Sequence, residues 1–108
     1  MTVEALARLE PIRALTIPEP TREVNGAYAG DLLSWVMGRA QADNAWITIM
    51  SNVNIVAVAA LADVACIVLA EDVTPEKAIL DTAEAKGVNI LKSSLPIYET
   101  ALLLGGTI

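Results

Sequence analysis

Seven polar side chains stand where a small α/β chain would bind something: Asp31, Ser34, Ser51, Asn52, Asn54, Ser93 and Ser94. Hydroxyls, amides and a carboxylate near helix starts are recognition chemistry, because they exchange hydrogen bonds with a ligand beside free helix amides. They do not form acid-base machinery. The chain has no His and one Cys, which excludes Ser-His and Cys-His catalysis, His metal sites and an intrachain disulfide. Cys66 lies among Ala65, Ile67 and Val68, the setting of an inert buried thiol. No G-x-G-x-x-G, G-x-x-x-x-G-K or paired-Cys motif occurs, so neither a cofactor nor a metal is expected. Asp31 or Glu71 working with an imported metal would be a poor acid-base site without a second positioned acid.

Each polar residue also has a structural role open to it. Asp31 ahead of Leu32 is placed to cap a helix, and Ser51 and Asn52 to cap the next one. Ser93 and Ser94 suit a polar turn, and Glu71 and Asp72 a solvated one. Asn54 is a surplus polar residue in an apolar segment, available for a ligand or for a contact across a dimer.

The elements that must position these residues follow from the hydrophobic pattern. The spacing predicts a short helix over 3–9 and an edge strand over 12–17, after which Pro18-Glu19-Pro20 makes a stiff connection. Residues 23–31 carry the chain inward to a helix that begins after Asp31 and ends near 38–42. Strands are expected over 46–50, 64–69 and 88–91, and helices over 53–62, from Thr74-Pro75-Glu76 to Lys86, and over 96–104. Short strands alternating with helices define an α/β fold, a mostly parallel sheet with crossover helices on both faces. With 108 residues and no long linker, one domain over 1–108 is expected.

Lys and Arg number 7 against 13 Asp and Glu, a net charge of −6, so phosphate backbones and anionic membrane surfaces repel the chain and nucleic acid is not an expected partner. The amino terminus has no basic, apolar leader, and Asp63 splits the long apolar stretch below the ~20 residues of a spanning helix. No membrane association is expected, and the location read from these features is the cytoplasm.

With 55% apolar residues and a mean hydropathy of +0.53, much of the excess falls in the 53–62 helix, where Asn54 is the one polar residue. A helix apolar all round is buried all round, and a domain this small has little surface with which to cover it. The helix therefore predicts a self-complementary homodimer interface, with Ile55, Val58, Ala59 and Ala62 at the contact.

Gly26-Ala27-Tyr28-Ala29-Gly30-Asp31-Leu32-Leu33-Ser34, Ala45-Trp46-Ile47-Thr48-Ile49, Asn54-Ile55-Val56-Ala57-Val58-Ala59 and Gly87-Val88-Asn89-Ile90-Leu91 to Tyr98-Glu99 together resemble the stand-alone DRTGG-domain proteins, from about Val24 onward. The resemblance implies a fold like the amino-terminal domain of HPr kinase, found also inside phosphotransacetylases and between the CBS domains of certain pyrophosphatases, where it is regulatory or dimerising and not catalytic. The sequence departs from the name-giving letters: Leu32 stands where the Arg would be, and Ile49-Met50 follow Thr48 in place of Gly-Gly. The function expected is a non-enzymatic regulatory or scaffold module that binds a partner protein or small metabolite at the strand carboxyl ends. The alternative is a metabolite or nucleotide sensor whose ligand modulates the dimer.

Overall fold

Four short strands joined by three helices close into a βαβαβαβ unit. The computed structural model describes all 108 residues. Its elements are α1 (Val3–Leu6), β1 (Ile12–Thr16), β2 (Gly26–Ala29), α2 (Leu33–Arg39), β3 (Asn44–Thr48), α3 (Asn54–Ala62), β4 (Cys66–Leu69), α4 (Lys77–Lys86), β5 (Ile90–Ser93) and α5 (Ile97–Gly105). The five-stranded sheet has the order β1-β5-β4-β3-β2. Strands β2 to β5 are parallel, and β1 pairs with β5 antiparallel at the edge. The α/β expectation holds, with one refinement. All three crossover helices lie on one face, because the strand order steps steadily in one direction and right-handed connections then fall on one side. The other face is covered by α1 and α5, which are not crossovers.

The two faces carry separate cores, as the alternation along each strand requires. Trp46, Ile67, Leu69 and Ile90 point to α2, α3 and α4, where they meet Val36, Ile55, Val58, Ile79 and Ala83. Ala45, Ile47, Cys66, Val68 and Leu91 point the other way, to Val3, Leu6 and Leu104. Every residue of β3, β4 and β5 is buried, which is the signature of strands covered on both sides. At the amino end of the sheet, Arg22 ties the leading segment to the rest. Its Nε and Nη2 donate to Asp43 Oδ1 at 3.2 and 3.0 Å, and Nη2 also donates to Asp63 Oδ1 at 2.8 Å. Partial burial lowers the guanidinium pKa, but these bonds and charges outweigh it and hold the pKa above its ordinary value. The carboxyl ends of the strands are left free for a site.

Burial of the thiol on the α1/α5 side pushes the Cys66 pKa up to about 12. Folding thus holds a proton that the unfolded chain releases from about pH 9 upward. The stability contributed is intact below that pH and is lost as pH rises toward 12. We expect Cys66 to ignore an aromatic disulfide reagent at pH 8 in the native protein and to react in full in denaturant; rapid native labelling would contradict its burial.

The expectation of which residues on the 53–62 helix face outward is corrected. Helix α3 is not enclosed: Ile55, Val58 and Ala59 are buried within the single chain, whereas Leu61 is 72% and Val53 57% exposed, with Ala57 and Ala60 exposed beside them. Ile55, Val58 and Ala59 therefore serve the sheet and not a partner, and Ala62 is half-buried. An all-apolar helix has two sides a wheel cannot tell apart; the sheet takes one. No helix is long and apolar enough to cross a membrane.

Candidate functional site

Strands β3 and β4 end side by side, with Thr48 opposite Leu69 in the register, and each chain turns there toward a crossover helix. After β3 the turn is Ser51-Asn52-Val53. The Asn52 carboxamide oxygen accepts from the Asn54 amide at 2.9 Å, a local turn just ahead of α3; the N-cap position itself is Val53, which has no capping side chain, so neither Ser51 nor Asn52 is the N-cap residue. After β4 the turn is tight: Glu71 and Asp72 both adopt the left-handed conformation, at φ 59°. Their amides donate to the carbonyls of Leu95 and Ser93, which fastens the turn to the carboxyl end of β5. Thr74 and Glu76 then lead into α4, with Glu76 as the residue before its first turn.

Between the starts of α3 and α4 lies an open cleft of about 660 Å³. Ser51, Asn52, Thr74, Glu76 and Thr82 give it hydroxyls, an amide and one carboxylate, while Val53 and Ile79 form an apolar strip. Pockets of this size accept small organic ligands. The groups can hydrogen-bond and orient a molecule, but none is paired with a second group in the manner of a general base. Lys92 stands directly behind Thr74 and donates to its Oγ1. No three Asp, Glu or Cys side chains converge as a metal site would require.

The structure brings together only part of the residues singled out from sequence. Ser51 and Asn52 line the cleft. Asn54 is exposed at the start of α3 and Ser34 is exposed on α2, both outside it. Asp31 caps no helix; α2 begins without a side-chain cap. Its Oδ1 instead accepts from the Thr48 hydroxyl at 2.7 Å and the Ile49 amide at 3.0 Å, lashing the end of β2 to the end of β3. Ser93 belongs to β5 and is fully buried, sharing a 2.8 Å hydrogen bond with Thr100 Oγ1 and accepting from the Leu95 amide. It is structural and faces no ligand. Ser94 is exposed and lines a second, smaller cleft beside β1.

Thr74, Glu76 and Thr82 were not expected at the site. Thr74 could have been found by the rule that flagged Ser51, since it follows the end of the neighbouring strand; its helix-start pattern masked it. Glu76 and Thr82 depend on how α4 packs against α3.

The family model of the DRTGG domain matches residues 29–106. Among solved structures, the crystal structure of the CBS and DRTGG domains of the regulatory region of Clostridium perfringens pyrophosphatase, complexed with its activator diadenosine tetraphosphate, shares the fold at a TM-score of 0.65 and 16% identity. The match covers 86% of this chain and 41% of that one, so the chain spans less than half of its structural neighbour. No curated protein matches the sequence.

Proposed function

The chain belongs to the DRTGG-domain family, and from that premise we propose that it is a non-enzymatic regulatory module, a homodimer whose strand-end cleft takes a small ligand or a segment of a partner protein. The observation that carries this reading is the cleft between α3 and α4, with its hydroxyl and amide lining and no paired acid-base groups. A ligand there would change how α3 and α4 sit against each other. The outer side of α3 is the exposed apolar stripe on which a second copy would rest, so occupancy of the cleft would reach the dimer through one helix.

A second reading, a nucleotide sensor, is favoured by one observation: the fold neighbour is a regulatory region complexed with the activator diadenosine tetraphosphate. In this chain, phosphate oxygens would meet the Ser51 and Thr74 hydroxyls that line the cleft, and Glu76 would accept from ribose hydroxyls. A thermal-shift series with diadenosine tetraphosphate, mononucleotides and central metabolites tests both readings. A ligand present at about 100 times its Kd adds roughly 2.7 kcal/mol of stability, which is a rise of about 10 °C or more in Tm for a domain of this size. A nucleotide response supports the sensor, a response to another metabolite supports the broader module, and no response to any leaves only a protein partner.

A further inference from the structure

A second cleft, of about 400 Å³, lies on the far side of the β4–α4 turn, where β1 joins the sheet. Arg13 and Lys92 are direct partners in the antiparallel β1–β5 register, so both side chains leave the sheet on the same face, and both line this cleft with Ser94. Like charges directly opposite on neighbouring strands are destabilising. The chain has only 7 cationic side chains in a net charge of −6, yet it sets two of them face to face. Lys92 is 7% exposed, and its ammonium is relieved by Asp72 Oδ1 at 3.1 Å and by Thr74. Arg13 is exposed and makes no ion pair or side-chain hydrogen bond. The pair is thus half neutralised, with a guanidinium fork unused at the mouth of a cleft.

We propose that this cleft binds a phosphate group, free or carried by a small metabolite. The Arg13 fork would take two phosphate oxygens, a geometry that arginine favours. The Lys92 ammonium and the Ser94 hydroxyl would meet the others. The cleft extends beyond a phosphate, and Glu10 on its wall would accept from hydroxyl or amino groups on the body of a ligand. Asp72, whose side chain is largely exposed, can swing out to water as the anion replaces it beside Lys92. This site shares no lining residue with the α3–α4 cleft, although the Lys92–Thr74 hydrogen bond runs between the two.

The test is a nitrogen-15 NMR titration of the full chain with inorganic phosphate and, separately, with ribose 5-phosphate. Saturable shifts centred on the Arg13 side chain, Lys92 and Ser94 are expected, with an affinity loss of roughly tenfold or more in Arg13→Gln, since a charge-assisted bidentate contact is lost. Tighter binding of ribose 5-phosphate assigns the site to a phosphorylated metabolite, and equal binding assigns it to phosphate itself. Shifts spread over Arg8, Arg39, Lys77 and Lys86, or an Arg13→Gln variant that binds as the native chain does, would overturn the proposal. Position 13 is exposed on an edge strand, so the variant should fold.

Discussion

Replacing Trp46 with Ala is expected to remove about 3–5 kcal/mol of stability, a third or more of what a domain of this size has to lose. Trp46 is the largest fully buried side chain. It fills the space between β3 and the helices of the crossover face, and nothing small can close around its absence. Its Nε1 also donates to the Gly30 carbonyl at 2.9 Å, one residue before Asp31 lashes β2 to β3. Removing the indole leaves that carbonyl without its donor and loosens the turn that leads into α2. Equilibrium urea unfolding checks this. Phe at position 46 should recover most of the packing but not the hydrogen bond, and so fall between the two; an alanine variant within 1 kcal/mol of the native protein, against the penalty expected for such a cavity, would contradict the burial described.

The second large effect concerns assembly. Glu in place of Ala60 is expected to weaken the proposed dimer at least about a hundredfold, because an unpaired charge held in an apolar contact costs several kcal/mol. Ala60 is exposed on the side of α3 that carries Val53, Ala57 and Leu61, so the substitution touches the stripe and spares the core. Ala59→Glu is a useful contrast: Ala59 is buried against the sheet, and there the same charge should damage the fold itself. Sedimentation equilibrium at low micromolar concentration decides the matter. A native protein that is already monomeric there would overturn the dimer, and a dimer that survives Ala60→Glu would place its interface elsewhere.

The parallel sheet could be read from sequence because β3 and β4 are apolar on both faces and the turns after them hold helix-start residues. Strand β2 could not. Gly26-Ala27-Tyr28-Ala29 has no β-branched residue, and it becomes a strand by pairing with Asn44 to Ile47, a tertiary effect that local preference does not record. Asp31 misled for a related reason: a carboxylate ahead of a helix suggests a cap, but the winning partner is Thr48, 17 positions away. A strand ending at Leu91 would leave Ser93 in a turn, but β5 ends two residues later and takes Ser93 into the sheet. The Arg13–Lys92 pair lay hidden because it exists only in the antiparallel register of β1 with β5. Of the candidate site, Ser51 and Asn52 were legible from the strand-end rule, whereas Glu76 and Thr82 needed the packing of α4 beside α3.

The central claim is that the cleft between α3 and α4 is where this domain receives its signal. Amide chemical-shift mapping of the full chain, with whichever compound raises Tm most in the thermal-shift series, tests it most directly. The account predicts saturable shifts concentrated at Ser51, Asn52, Val53, Thr74 and Thr82, reduced in a Ser51→Ala variant of unchanged Tm. A compound that raises Tm but leaves those amides unmoved, with its shifts on another face, would contradict it.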